Sequence, residues 1–189
     1  MSRLIMWNLI TLDGMFEGPQ PWDLKALEYA WGDELERFSL EQAAEVEGLI
    51  FGRRTYEGMA AHWSTATGEI ADFMNAVPKY VFSRTLESAD WVNSTLVKED
   101  AGHAVAQLKE QPGKDLFVFG SAELSATLIR NGLFDELRIG LVPVTLGRGS
   151  PLFKPDSEPL KLQLVQSRSL GPRCLLLRYQ PAGVAGAAG

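Results

Sequence analysis

The sequence predicts an α/β fold: a mixed, mostly parallel sheet, covered by helices on both faces and ending in an antiparallel hairpin. Three observations carry this. Strand-like apolar runs alternate with helical patterns along most of the 189 residues. The run Leu116–Phe119 is apolar throughout, as a strand covered on both faces should be. The last two strand-like runs are joined only by Leu170-Gly171-Pro172-Arg173, too short for a crossover, so they must run antiparallel.

The elements follow in order. Arg3 to Thr11 reads as the first strand, turned by Leu12-Asp13-Gly14 into a loop containing Gly18, Pro19 and Pro21. A helical stretch from Leu24 to Ala44 is expected to break near Gly32 or Ser39. Leu27, Ala30, Trp31, Leu35 and Phe38 recur at three- and four-residue spacing and should face the core. Gly48–Phe51 is the second strand, followed by helices over Arg54–Ala61 and Ile70–Asn75, the latter stopping before Pro78. Lys79–Ser83 and Ser94–Val97 are the next strands. Asp100 is a plausible N-cap for a helix through Leu108, which Gly113 closes. Leu116–Phe119 leads into a helix over Ser121–Asn131 ending at Gly132, and Glu136–Val142 is the next strand. Lys161–Ser169 and Cys174–Gln180 form the hairpin. A hydrophobic share of 46% and a charged share of 22% fit one globular domain over residues 1–180, with 181–189 a flexible tail.

Composition excludes several functions. A net charge of −6 disfavours a general nucleic-acid binder. With Cys174 as the single cysteine there is no intrachain disulfide and no cysteine-based metal site. The two histidines, His62 and His103, supply no dedicated zinc site and are expected at the surface, so no metal is expected. No apolar stretch reaches the length of a membrane helix. The apolar Leu4–Leu12 run is interrupted by Asn8 and followed by Asp13-Gly14, not by a small-residue cleavage site, which makes the cytoplasm the expected compartment.

Two strand-to-helix junctions carry the functional signal: Gly48-Leu49-Ile50-Phe51-Gly52-Arg53-Arg54-Thr55-Tyr56-Glu57 and Asp115-Leu116-Phe117-Val118-Phe119-Gly120-Ser121-Ala122-Glu123-Leu124. In each an apolar run ends at a glycine where a helix begins. The free N–H groups and positive dipole end of a helix N-terminus attract anions. Two such junctions in one domain suit a ligand with several phosphates, such as a dinucleotide. Arginines are unfavourable at a helix start by up to about 1 kcal/mol each, and an anion bound there reverses the sign. Arg53 and Arg54 present planar forks to it, and Thr55 adds a hydroxyl. In the second junction Gly120 permits close backbone approach, Ser121 can cap the helix, and the amides of Ala122, Glu123 and Leu124 point outward. No Gly-x-Gly-x-x-Gly fingerprint is present, so an ordinary Rossmann reading fails. Ser83 and Arg84 end the third strand with a hydroxyl and a charge. Asp13 lies at the end of the first strand, where ligands gather in such sheets. It could hydrogen-bond an aminopyrimidine edge or relay a proton, or be only a turn residue. Trp22 and Trp31 are expected in core or loop packing rather than as pocket walls.

Gly52-Arg53-Arg54-Thr55-Tyr56-Glu57 resembles the Gly-Arg-x-Thr-(aromatic)-Glu stretch of the dihydrofolate reductase-like family. With Leu12-Asp13-Gly14, Gly120-Ser121, Asp135-Glu136-Leu137 and the loop Pro143–Phe153, the resemblance spans about residues 3 to 180. It is greatest to the reductase domain of the bifunctional riboflavin-biosynthesis deaminase-reductase, whose zinc-bearing deaminase half has no counterpart before the first strand. The resemblance implies a three-layer dihydrofolate reductase-like fold, a homodimer, and NADPH bound by Arg53, Arg54, Thr55, Ser83, Arg84 and the Gly120–Leu124 turn. It implies a reductase passing a hydride to a pterin, an aminopyrimidine or a related heterocycle, with Asp13 as the catalytic candidate. A 5-amino-6-(5-phosphoribosylamino)uracil reductase is one alternative, with Arg148 as a candidate for its substrate phosphate. A non-catalytic nucleotide-binding protein is another. Asp33, Glu34 and Glu36 lie where dihydrofolate reductase carries its pterin-holding carboxylate, but in no recognisable motif.

Overall fold

Hydrophobic alternation on the strands builds a three-layer molecule. A computed structural model describes residues 1–155 and 157–183. Its main sheet has eight strands, taken here in spatial order. β5 (Ser94–Val97), β4 (Lys79–Phe82), β3 (Val46–Gly52), β6 (Asp115–Phe119), β1 (Leu4–Thr11) and β7 (Glu136–Val142) run parallel. β10 (Leu175–Pro181) and β9 (Leu162–Ser169) follow antiparallel. The expected mixed sheet with its C-terminal hairpin is therefore present. A short pair, β2 (Met15–Glu17) with β8 (Ser150–Pro151), lies apart and has no strong sequence signal.

Period-two alternation sends neighbours to opposite faces. Leu4, Met6, Leu116 and Val118 point to one core with Val105 and Leu128, while Ile5 and Phe117 point to the other with Tyr56 and Met74. The first core lies under α5 (Ala101–Glu110) and α6 (Ala122–Arg130). The second lies under α3 (Arg53–Trp63) and α4 (Glu69–Ala76). A third cluster, with Leu27, Leu35 and Phe38, packs α1 (Lys25–Glu28) and α2 (Asp33–Ala43) against Val142 and Leu176.

Several boundaries differ from expectation for identifiable reasons. The long helical stretch breaks at Gly32, not at Ser39, whose hydroxyl donates to the Leu35 carbonyl at 2.9 Å and stays within α2. Trp31 does not join the core: the break at Gly32 takes it off the helical face, and it is 47% exposed. Asp100 caps α5 by accepting from the His103 amide at 3.0 Å. Gly113 does not close that helix, which ends at Glu110 with extended Gln111, whereas Gly132 follows α6 with a left-handed φ of 62°. Pro181, expected in the flexible tail, pairs with Leu162 in β10; residues 184–189 lie outside the described residues.

Candidate active site

Both junctions form where expected, and their side chains stitch them into one cradle. β3 ends at extended Gly52 and α3 starts at Arg53. β6 ends at Phe119, after which Gly120 and Ser121 are both left-handed, with φ of 57° and 59°. This double bend turns the start of α6 toward α3. The Gly52 amide donates to Ser121 Oγ at 2.9 Å, and the Ser121 amide donates to Thr55 Oγ1 at 2.9 Å. Ser121 thus makes no side-chain cap on α6; its hydroxyl serves the neighbouring junction instead. The Thr55 hydroxyl likewise faces Ser121. A Cβ at Gly120 would approach Thr55 Cγ2 to 3.0 Å, so this glycine makes room for Thr55 as well as permitting the bend. The amides of Ala122, Glu123 and Leu124 have no protein acceptor among the described residues, as the first turn of a helix leaves them.

The cradle opens on a cleft of about 1230 Å³ along the C-terminal ends of the parallel strands. Arg53, Arg54, Ser83 and Arg84 line it with the Gly120–Leu124 turn, as does Arg130, which the sequence reading passed over. Arg53, Arg84 and Arg130 have no carboxylate partner within 4 Å among the described residues, whereas Arg54 reaches Glu17 at 3.7 Å. Ser83 Oγ accepts from the amides of Thr85 and Leu86 at 3.2 and 3.0 Å, shaping its own turn. Asn8, 6% exposed, borders the floor: its Oδ1 accepts from the Gly120 amide at 2.8 Å, and its buried Nδ2 has no partner among the described residues.

Asp13 lies elsewhere. It does not line the cleft, and its carboxylate accepts from Thr11 Oγ1 at 2.5 Å and from the amides of Gly147 and Leu146 at 2.7 and 3.1 Å. The Thr11 hydroxyl and the Gly147 amide hold it ionised, with a pKa lowered to about 2. These bonds tether the first turn to the glycine loop. Arg148 in that loop is exposed and outside the cleft. So are Asp33, Glu34 and Glu36 outside it; the carboxylates it does receive from this region are Glu17 and Glu28.

Trp22 and Trp31, expected in core or loop packing, both border the cleft. Trp22 adopts a φ of 63°, which costs an L-residue on the order of 1–2 kcal/mol. Two contacts hold it there. Its amide donates to Glu17 Oε1, and its indole lies over Gly58 of α3, where any Cβ would collide. Gly58 lies thirty-six residues further along the chain, so no local pattern could announce that contact.

A mostly parallel sheet covered on both faces, with two helix starts meeting at its C-terminal edge, is a dihydrofolate reductase-like α/β architecture. The chain belongs to the RibD C-terminal domain family, whose model matches residues 3–176. It is 28% identical over 189 residues to YyaP, an uncharacterized protein of Bacillus subtilis (strain 168), covering 94% of each chain. A riboflavin biosynthesis protein of Shewanella sp. PV-4, so assigned provisionally, superposes with a TM-score of 0.78 at 19% identity, covering 96% of this chain and 99% of the other. The Thermotoga maritima diaminohydroxyphosphoribosylaminopyrimidine deaminase/5-amino-6-(5-phosphoribosylamino)uracil reductase gives 0.68 at 16%, over 95% of this chain and 56% of that one. Enterococcus faecalis dihydrofolate reductase, complexed with NADP(H), gives 0.59 at 12%, over 96% of both chains.

Proposed function

We propose that this protein is an NADPH-dependent reductase acting on a small heterocyclic acceptor. The observation that carries the proposal is the stitched pair of junctions: two helix starts share one cradle, beside Arg53 and Arg84, which have no carboxylate partner among the described residues. The residues fit the cofactor. Free first-turn amides at Ala122–Leu124 suit a pyrophosphate, and Arg53, Arg54, Ser83 and Arg84 suit an adenosine with a 2′-phosphate. Asn8 Nδ2, buried and without a partner among the described residues, offers a donor where the cleft floor meets Gly120. Bound NADPH supplies a hydride.

The chain's own residues bind, orient and exclude water. Trp7, Trp22 and Trp31 wall the space beside the cradle, and Glu28 offers a carboxylate to an amino-substituted ring. Membership of the RibD C-terminal domain family favours a second reading, the 5-amino-6-(5-phosphoribosylamino)uracil reductase named for the Thermotoga relative. We also propose a cytoplasmic homodimer. No helix among the described residues is long and apolar enough to cross a membrane. Edge strand β9 exposes Leu164 and Val165, each about half accessible, to a second copy. Sedimentation at increasing concentration tests the dimer.

Fluorescence titration with NADPH and NADH, on wild type and Arg53→Ala, tests the function. Selective NADPH binding, weakened about tenfold by the substitution, is expected. Absence of binding by either nucleotide sinks the reductase reading.

A further inference from the structure

Leu4, Met6 and Ile10 pack into one core from the same face of β1, and Asn8 is the polar interruption of that row. Asn8 borders the cleft at a particular place in the sheet. Trp7 pairs in register with Phe119, the last residue of β6, so Asn8 lies one step past the end of that strand. From there the two chains part. β6 leads into α6, which covers the face of Leu4 and Met6, whereas β1 leads toward α1 and α2, which pack on the other face with Trp7 and Leu9. Neighbouring parallel strands that part in this way open a crevice at their C-terminal ends. The Gly120 amide settles how the Asn8 side chain is turned. A backbone N–H can only donate, so the atom 2.8 Å from it is Oδ1, and Nδ2 is the other arm. A carboxylate would serve the Gly120 amide as well. What asparagine adds is a neutral donor, and that donor is buried and has no partner among the described residues.

We propose that Asn8 orients the nicotinamide: its Nδ2 donates to the carboxamide oxygen of the ring while its Oδ1 holds the Gly120 turn. This rests on the reductase reading and deepens it. The proposed order of cofactor groups follows the order of the strands. Arg84 after β4 and Arg53 after β3 suit the phosphorylated adenosine, and the free amides of α6, after β6, suit the pyrophosphate. β1 is the next strand, and Asn8 is the polar side chain that meets the ligand there. A phosphate is a poor match for Nδ2, because one neutral donor in an apolar row does not offset the burial of its charge. A carboxamide oxygen is neutral and a good acceptor, so it satisfies Nδ2 at a small desolvation cost. The bond fixes the rotation of the ring about its glycosidic bond, and with it the face turned to the hydride acceptor. Oδ1 and Nδ2 belong to one planar group, so the turn beside the pyrophosphate and the ring that carries the hydride share one frame.

The test is calorimetric titration of the full chain with NADPH, with its thionicotinamide analogue, and with 2′-phospho-ADP-ribose, which lacks the nicotinamide. Wild type should bind NADPH several-fold more tightly than the thionicotinamide analogue, whose sulfur is the poorer acceptor. Asn8→Leu should weaken NADPH about tenfold and lose that preference, while 2′-phospho-ADP-ribose weakens less than about threefold. Asn8→Asp keeps an acceptor for the Gly120 amide and removes the donor. It should also lose the preference, and its added charge cancels in the ratio of the two affinities. A wild type without the preference, a preference that survives in either variant, or equal weakening of NADPH and 2′-phospho-ADP-ribose by Asn8→Leu overturns the proposal and confines Asn8 to the Gly120 turn. Failure of wild type to bind any of the three is a different result, which sinks the reductase reading itself.

Discussion

The two edges of the sheet use arginine in opposite ways. At the N-terminal edge Arg138 is almost wholly buried and is held by Glu136 Oε1 at 2.6 Å, Glu45 Oε2 at 2.7 Å and Gln42 Oε1 at 3.1 Å. Arg178 adds a bond to Glu136 Oε1 at 2.7 Å, and Arg3, itself paired with Asp115, joins through Glu136 Oε2 at 3.4 Å. At the C-terminal edge Arg53, Arg84 and Arg130 are exposed and lack carboxylate partners among the described residues. The first arrangement is self-sufficient, because buried charge must be matched within the protein. The second is held in water and leaves its forks free for an anion. Pairing, rather than residue type, separates an arginine committed to the structure from one left open to an anion.

Glu136→Ala should strike the closed edge hardest. It leaves Arg138 buried without its nearest partner and should cost about 3–5 kcal/mol in urea unfolding. The nucleotide affinity of the folded fraction should stay unchanged, since the edges share no partners. The same edge has a pH signature. Burial alone would raise the Glu136 pKa, but hydrogen bonds from Arg178 and Arg138 outweigh it and bring it below the ordinary 4.5. Its stabilisation is thus complete above pH 4.5 and is lost as pH falls through the lowered folded value. Acid unfolding of wild type against Glu136→Gln should show this term vanish in the variant.

Gly120→Ala tests whether the open edge also needs a rigid frame. The left-handed φ alone should cost roughly 1–2 kcal/mol, and crowding against Thr55 adds to it. Calorimetric melting should show a lower Tm, and NADPH titration a weaker Kd. Retained affinity would break the link between the bend and the cradle. Arg84→Ala should act on the ligand alone, weakening NADPH several-fold, or about 1 kcal/mol, while sparing NADH and the unfolding midpoint. Equal loss for both nucleotides would move the 2′-phosphate contact elsewhere.

Asp13→Asn should have the smallest effect. The carboxylate's contribution to the tether is intact above pH 3.8 and fades as pH falls toward about 2, so the small Tm difference between variant and wild type should be fully present near neutral pH and vanish in acid. A large loss of turnover in a well-folded Asp13→Asn protein would return this residue to the chemistry.

The sequence by itself determined the elements and the two junctions. Glycines after apolar runs and arginines at helix starts are local patterns, and each lies within a few residues of its cause. The parallel sheet and the hairpin were legible for the same reason. Tertiary structure alone decided what the junction side chains do. Ser121 and Thr55, sixty-six residues apart, bond each other rather than simply facing a ligand. Trp22 is fixed by the bareness of Gly58, Asn8 by the Gly120 amide, and Asp13 by amides of a loop more than 130 residues away. Trp31 and Glu28 reached the cleft because the chain breaks at Gly32. Hydrogen bonds and close packing act over a few ångströms in space, and only the closed sheet brings such distant positions within that range.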